Sequence, residues 1–189
     1  MPMKVLINDN ENLVVINKSK FIGIIKKISS KEEISKILDE IKKQYPDATH
    51  ICYAYLLPNS EKYSDDGEPD GTAGLPILNV LKRNNLNYLI AIVIRYFGGI
   101  KLGSNGLIRA YSNTISSLIN NNIKEAETGY LIKIEENYTN SDKLEYLLKD
   151  DVIVNKDYQD KIIIHALVKK KTLENLSNVN YQIILEKII

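Results

Sequence analysis

The chain has 189 residues, 44% of them hydrophobic and 26% charged, a composition typical of globular rather than disordered proteins. Its formal net charge of +1 excludes a global field that would attract nucleic acid or a membrane. The single cysteine, Cys52, excludes an intrachain disulfide and disfavours an oxidising compartment. The cytoplasm is the expected location, since no apolar run has the length of a signal sequence core or a membrane span.

The first half of the chain predicts a mixture of strands and helices. Strands are expected at residues 13–16 and 21–25, where β-branched and aromatic side chains are frequent. Ser30 is expected to begin a helix, because Glu33 follows three residues later and completes a capping box. The β-forming segment 49–57 then predicts a third strand.

Residues 58–71 predict a polar, acidic loop, and Thr72 is expected to cap the helix that follows. The strongest strand prediction covers residues 89–97, which are apolar on both faces. This strand leads into a Gly-rich turn at residues 98–106, and a long helix is expected after it. The apolar stripe of that helix comprises Ile108, Tyr111, Ile115, Leu118 and Ile119.

The last third of the chain has a different pattern. The polar residues 120–129 indicate a linker, and we expect two domains, residues 1–126 and residues 127–189. Elements after the linker follow the order βαββαβ, which is typical of a ferredoxin-like domain. Its strands are expected at residues 130–135, 152–158, 161–168 and 181–185, and its helices near residues 141–148 and 172–176. The fold class is therefore α+β.

The segment at residues 64–74, which we call the acidic loop from here on, carries four carboxylates close together, at Asp65, Asp66, Glu68 and Asp70. Clustered carboxylates can hold Mg²⁺ or act as general acid and base. Closely spaced Asp, Gly and Pro residues are also typical of turns. The spacing of the carboxylates does not fit an EF-hand. We therefore expect a structural or partner-binding loop with no bound metal and no cofactor.

His50 and Cys52 lie two residues apart on a predicted strand and therefore share a face. Neighbours on one face make a poor Cys–His nucleophile pair, which needs facing side chains and a third orienting group. A zinc site needs further ligands, and the other histidine, His165, belongs to the second predicted domain. We expect Cys52 to be a buried, unreactive thiol and assign no catalytic residue.

The Gly-rich turn is the strongest candidate for a binding site. A strand, several glycines and a helix in succession present free backbone N–H groups beside the positive end of the helix dipole. That arrangement suits a phosphate or a nucleic-acid backbone. The glycine spacing matches neither the mononucleotide nor the dinucleotide pattern, and the alternative is that the glycines only permit tight turns and close packing. The candidate residues are Arg95, Gly98, Gly99, Lys101, Gly103, Gly106 and Arg109.

Residues 48–55, 64–78, 94–103 and 106–111 together resemble the YigZ/IMPACT family. The resemblance is specific in the first domain, whereas the second domain shares only the general architecture of a small ferredoxin-like module. The family commonly has Lys, Gly and Arg at three positions where this chain has, in that order, Leu75, Asn105 and Lys20. Leu75 removes a positive charge from the candidate site.

The resemblance implies a first domain with the fold of the fourth domain of elongation factor G, the ribosomal protein S5 domain 2-like fold. The second domain is expected to be similar to the last domain of that factor. The resemblance further implies that in eukaryotic relatives the shared domain regulates translation under amino-acid starvation through protein–protein binding, whereas for the bacterial branch it implies no particular activity.

The resemblance also places Lys18 and Lys20 on one basic face with the Gly-rich turn. Otherwise these lysines are a solvated strand edge that discourages strand pairing. The loop residues singled out as functional candidates are Asp65, Asp66, Gly67, Glu68 and Thr72.

The favoured hypothesis is a non-catalytic, translation-linked binding protein. Its expected partners are the ribosome or RNA, contacted through the RNA backbone, or a translation-associated protein, and not a membrane. One alternative is a metal-dependent enzyme, in which Asp65, Asp66 and Glu68 hold a metal ion. The Gly-rich turn and Arg95 then hold the phosphate of its substrate. Another alternative is a protein–protein module that docks through the acidic loop.

Overall fold

The computed structural model describes residues 2–189 and contains two compact units. One unit ends at Glu125, and the other runs from Ala126 to Ile189. Both units mix strands with helices, as the α+β prediction requires. None of the helices in this part of the chain has the length and apolar content that a membrane crossing requires.

The described part of the first unit, residues 2–125, forms seven strands and three helices. In chain order they are β1 (Lys4–Leu6), β2 (Asn10–Ile16), β3 (Ser19–Lys27), α1 (Lys31–Gln44), β4 (His50–Leu57), β5 (Ser60–Ser64), α2 (Gly74–Arg83), β6 (Leu89–Tyr96), α3 (Gly103–Ile119) and β7 (Ile123–Glu125).

The main sheet of this unit is antiparallel, with the strand order β2-β3-β6-β4-β5. Its central strand, β6, is buried on both faces, which explains its continuous run of apolar residues. Leu89, Ala91 and Val93 pack with helices α2 and α3 on one face, which we call the α2–α3 face. The alternate residues, Ile92 among them, pack with α1 on the opposite face, the α1 face.

Helix α1 begins one residue after Ser30, but the predicted capping box is wrong. The side chain of Ser30 caps no helical N–H group. Glu33 instead accepts a hydrogen bond from the backbone N–H of Ser29 at 3.1 Å, and from the Ser29 hydroxyl. The carboxylates of Glu32 and Glu33 still occupy the first turn, where the helix dipole favours negative charge.

Three other local predictions need correction. The predicted loop at residues 58–71 contains strand β5, which pairs with β4 as a hairpin. Helix α3 already begins at Gly103, so the last part of the predicted Gly-rich turn is helical. In α3 the residue that packs into the core is Leu107, whereas Ile108 is 38% exposed. Leu107 lies on the same side of the helix as Tyr111 and Leu118, whereas Ile108 is offset from Leu107 by about 100° and lies at the flank of the buried side.

The second unit has the predicted order of strands and helices. Its elements are β8 (Thr128–Glu136), a 3₁₀ turn (Tyr138–Asn140), α4 (Ser141–Leu147), β9 (Val152–Tyr158), β10 (Ile162–Lys169), α5 (Lys170–Asn175) and β11 (Tyr181–Ile188). The sheet is antiparallel with the strand order β11-β8-β10-β9. Its own apolar core includes Ile132, Ile134, Leu144, Leu148 and Ile164.

The predicted polar linker at residues 120–129 is shorter than expected. Ile123–Glu125 forms β7, which pairs antiparallel with β1 in a separate two-stranded sheet. Thr128 already belongs to β8, so only Ala126 and Glu127 separate the two strands. Composition indicated a linker because these residues are polar, whereas the strand partner that orders them lies at the other end of the unit.

Candidate functional site

A cleft of about 400 Å³ opens on the first unit, where β6 ends. The acidic loop borders one side of the cleft, and the N-terminus of α3 borders the other. Its polar lining comprises Thr49, His50, Glu68, Arg95, Lys101 and Ser104, and its apolar lining comprises Pro69, Phe97, Leu102 and Leu107. Two of the segments predicted to be functional, the acidic loop and the Gly-rich turn, therefore meet in one place.

Sheet register positions the charged floor of the cleft. Arg95 on β6 lies directly opposite His50 on β4 and Phe21 on β3. Directly opposed residues share a face, and Arg95 has the same parity as Val93, so all three side chains lie on the α2–α3 face. The pairing of β4 with β6 therefore places the side chains of Arg95 and His50 next to each other in the cleft.

Arg95 is not a free cation, because one side of its guanidinium is held by the fold. Its Nη1 donates to Oε1 of Glu68 at 2.5 Å, and the two side chains are only 5% and 3% exposed. The guanidinium carbon lies 5.3 Å from the ring centroid of Phe21 and 5.5 Å from that of Phe97, a cation–π arrangement. The positive charge is therefore held and largely neutralised inside the protein.

Glu68 is the centre of a buried hydrogen-bond network. The hydroxyl of Tyr111 donates to the same Oε1 atom at 2.7 Å. His50 Nε2 lies 3.8 Å from Oε2, while His50 Nδ1 donates to the backbone carbonyl of Asp66 at 2.8 Å. Because burial makes an unpaired carboxylate costly, the hydrogen bonds from Arg95 and Tyr111 explain how Glu68 remains inside the fold.

Asp65, rather than Thr72, caps helix α2. The Asp65 carboxylate accepts hydrogen bonds from the backbone N–H groups of Gly71, Ala73 and Gly74 at 2.9, 3.0 and 2.8 Å. The hydroxyl of Thr72 donates to the Pro69 carbonyl instead, at 2.6 Å. The prediction that Thr72 caps the helix is wrong, because the loop folds back and brings Asp65 to the helix end.

Asp66 ties the acidic loop to β4. Its Oδ2 atom accepts a hydrogen bond from the backbone N–H of Ile51 at 2.6 Å. Asp66 and Gly67 have φ angles of 43° and 83°, so glycine suits the tight turn at position 67. The carboxylates of Asp65, Asp66 and Glu68 are all engaged by the protein. Within residues 2–189, no three His, Cys, Asp or Glu side chains are grouped to hold a metal ion.

Cys52 is completely buried beside this network. Its thiol donates to the Asp65 carbonyl at 3.0 Å and lies 3.5 Å from the Tyr111 hydroxyl. Burial raises the pKa of the Cys52 thiol to about 12. The thiolate, which is the nucleophilic form, is therefore scarce at neutral pH, in agreement with the predicted unreactive thiol.

The glycines of the turn serve different purposes. A Cβ atom on Gly98 would lie 2.1 Å from the carbonyl carbon of Lys18, and the Gly98 N–H donates to the Ser19 hydroxyl at 3.1 Å. Gly98 therefore permits close packing. Gly99 and Gly103 have φ angles of +84° and +69° with open space around them, so they shape the turn. Gly106 lies inside α3.

The N-terminus of α3 keeps the open N–H groups that the anion hypothesis requires. Its N-cap residue is Leu102, no side chain in the described chain caps the helix, and its first turn contains no acidic residue. The first-turn N–H groups, in residues 103–106, have no acceptor within the helix. Lys101 is exposed and lines the cleft beside them. This end of the helix attracts negative charge.

The other predicted cations lie elsewhere. Lys20 is directly opposite Tyr96, so it projects toward the α1 face, away from Arg95. Lys18 and Lys20 line a separate depression with Tyr96. Arg109 is exposed on α3, but it is two residues, or about 200°, beyond the cleft residue Leu107 and points to another side. The structure therefore does not gather these cations into one cleft.

Sequence reasoning missed several residues of the cleft. Tyr111 was assigned only to the apolar stripe of α3, and its hydroxyl bond to Glu68 has no local signal in the sequence. Thr49 belongs to the segment 48–55 that carries the family resemblance but was assigned no role, although its hydroxyl accepts a hydrogen bond from the backbone N–H of Phe97 at 3.0 Å. Both contacts join residues that are more than 40 positions apart.

Comparison with known proteins gives concordant matches. The sequence profile of the Impact N-terminal domain matches residues 17–119, which include the whole cleft. The chain is 38% identical over 167 residues to the IMPACT family member YvyE of Bacillus subtilis, covering 85% of this chain and 77% of that protein. It is 33% identical over 170 residues to the IMPACT family member YigZ of Escherichia coli, covering 84% and 82%.

A solved structure described as that of a hypothetical protein is similar over almost the whole chain. The match has a TM-score of 0.62 and 27% sequence identity, and it covers 99% of this chain and 100% of the other.

Proposed function

The chain belongs to the IMPACT family, and from that premise we propose that it is a non-catalytic binding protein of the translation apparatus. Its first unit contacts the RNA backbone of a ribosomal subunit through the N-terminus of α3 and the cations beside it. We propose the translation apparatus as the partner because the family resemblance implies a role in translation. The cytoplasm is the proposed location, because the free thiol of Cys52 suits a reducing compartment.

One observation carries the choice of binding over catalysis. Two acidic side chains of the loop that borders the cleft are occupied by the fold itself, Asp65 as a helix cap and Glu68 as the partner of Arg95. What remains open is the uncapped start of α3, with Lys101 beside it and Arg109 further along the helix. Open N–H groups and exposed cations serve phosphate recognition, whereas the enzyme alternative has to remove Asp65 and Glu68 from their structural partners.

Binding to purified ribosomal subunits, measured by filter retention at several salt concentrations, tests the proposal. Lys101→Ala and Arg109→Ala are each expected to weaken binding and to reduce the slope of log K against log salt by about one unit. Arg95 is unsuitable for this test, because its removal leaves Glu68 buried and unpaired. Lys170→Ala, an exposed lysine of α5, is the matched control and should change little.

Two results would contradict the RNA-backbone proposal. The first is wild-type protein that does not bind subunits at low salt. The second is binding that resists salt and does not respond to Lys101→Ala or Arg109→Ala, which would favour a translation-associated protein as the partner. Circular dichroism has to show that each variant is folded.

We further propose that the two units are independent domains. The first has the ribosomal protein S5 domain 2-like fold, and the second has the ferredoxin-like fold. Each unit has its own apolar core, which supports this proposal. A fragment of residues 126–189 is expected to unfold cooperatively when it is heated and followed by circular dichroism. A fragment without a cooperative transition would count against independent domains.

A further inference from the structure

Arg95 is bound by the protein along one edge only. Nη1 donates to Glu68, whereas Nε is buried and has no hydrogen-bond partner within residues 2–189. Nη2, which shares the other edge of the guanidinium with Nε, also donates to no acceptor within residues 2–189, but of these two atoms only Nε is fully buried. Buried donors without acceptors are costly and rare in folded proteins. An unmatched arginine edge in a cleft therefore points to a ligand.

The open edge has the geometry of an anion receptor. The N–H bonds of Nε and Nη2 are parallel and match two oxygens of a carboxylate or phosphate. Arg95 lines the cleft and is only 4% exposed, so a ligand reaches it from the cleft. Because neighbouring side chains cover Nε, one of them has to move on binding. Phe97, which is 46% exposed and lies against the guanidinium, is best placed to do so.

The charges around the cleft favour an anion even though Glu68 is present. Glu68 and Arg95 form a neutral pair, and Oε1 of Glu68 also accepts from Tyr111. The remaining charge in the lining is positive, from Lys101 and from the uncapped N-terminus of α3. Phe97, Leu102 and Leu107 supply an apolar wall next to this positive end.

We propose that the cleft is a binding site for a small organic anion, a carboxylate or phosphate monoester attached to an apolar body. The anionic group pairs with Nε and Nη2 of Arg95, and the apolar body packs against Phe97 and Leu107. The cleft volume of about 400 Å³ lies within the usual range of small-molecule sites. A continuous nucleic-acid backbone is too broad to reach so buried a side chain. The inference therefore goes beyond RNA binding and does not depend on it.

The test is a titration of the full-length, ¹⁵N-labelled protein, followed by two-dimensional NMR. The probes are phenylacetate, phenyl phosphate and the neutral analogue phenylacetamide. Both anions are expected to cause saturable shifts of the Arg95 Nε–H signal and of the backbone amides of Gly103 and Ser104. Phenylacetamide should bind at least about tenfold more weakly, because it cannot form the charge-assisted fork. The two anionic probes distinguish a carboxylate ligand from a phosphate ligand.

Lys101→Glu reverses the exposed charge at the mouth of the cleft without disturbing the Arg95–Glu68 pair. It is expected to weaken binding of the anions on the order of fivefold, since a solvent-exposed charge acts through a high dielectric. Lys36→Glu is the matched control, because Lys36 is exposed on α1, on the opposite face of the sheet. It should leave the titration unchanged.

Three results would overturn the inference. They are an Arg95 signal that does not move, equal affinity for phenylacetamide and the anions, or equal effects of Lys101→Glu and Lys36→Glu. The outcome of the subunit-binding experiment is independent of the outcome of this titration. Subunit binding without an anion response rejects the small-anion site alone, whereas an anion response without subunit binding rejects the proposed translation function alone.

Discussion

Replacing Glu68 with alanine is expected to lower the free energy of unfolding by about 3–5 kcal/mol, the usual cost of leaving a buried charge without its partner. The substitution removes the only acceptor that Arg95 Nη1 has within residues 2–189, and the same atom is also the acceptor of the Tyr111 hydroxyl. The Arg95 guanidinium packs against the rings of Phe21 and Phe97, so it cannot move to solvent without breaking that packing.

Urea denaturation followed by circular dichroism measures this loss. Glu61→Ala is the matched control, because Glu61 also pairs with a cation, Lys82, at 2.6 Å, but both side chains are about half exposed. Exposed pairs contribute about 0–1 kcal/mol. If the two variants lose equal stability, Glu68 and Arg95 do not form a buried charge pair in solution.

A double variant separates the charge penalty from the loss of packing. Glu68→Ala together with Arg95→Met leaves no charge in the cleft floor, and we expect it to be more stable than Glu68→Ala alone. A double variant that is less stable than the single one would show that Arg95 stabilises the fold mainly through its contacts with the two aromatic rings.

Replacing Gly98 with alanine is expected to cost about 3 kcal/mol or more, at the upper end of the range for overpacking. The new Cβ atom would lie 2.1 Å from the carbonyl carbon of Lys18 and 2.2 Å from its oxygen. These are backbone atoms of the turn between β2 and β3, where Asn17 and Lys18 already have φ angles of 47° and 63°. That turn has little freedom to retreat.

Gly106→Ala is the control for Gly98→Ala in the same denaturation experiment. Gly106 lies within α3, and its Cβ atom would lie 3.1 Å from the Leu102 side chain. The tight contact is offset by the helix propensity of alanine, which exceeds that of glycine by about 0.5–1 kcal/mol. We expect a change within about 1 kcal/mol of wild type. A Gly98→Ala variant as stable as this control would show that the β2–β3 turn yields to the added methyl group.

Much of the fold follows from local sequence patterns. The prediction of a strand at residues 89–97 is confirmed by β6, because a continuous apolar run suits a strand buried on both faces. The YigZ/IMPACT resemblance is confirmed by the family match and the curated relatives. Strand β7 was missed because its partner, β1, is more than 100 residues away, and polar residues at a sheet edge carry no distinct pattern.

The residue types of the candidate site were recognisable, but their roles were not. Asp65, Glu68 and Arg95 stood out as charged residues near glycines, a pattern that is found both in functional sites and in ordinary turns. Asp65 turned out to be a helix cap, and Glu68 turned out to neutralise Arg95. Both roles depend on how the acidic loop folds back over the end of the sheet, which no spacing within the loop specifies.

The sequence by itself determined the family and the order of the longer helices and strands, because hydrophobic periodicity and motif spacing act over a few residues. The short strands β1, β5 and β7 were not predicted. Only the tertiary structure decided which charges are free. Arg95 and Glu68 are 27 positions apart, and Lys20 lies away from the cleft because it opposes Tyr96 rather than Arg95. Neighbouring residues of a strand point to opposite faces, so a register difference of one residue moves a side chain across the sheet. Register is set by long-range packing, and this is why the cleft and its unmatched arginine edge became visible only in the folded chain.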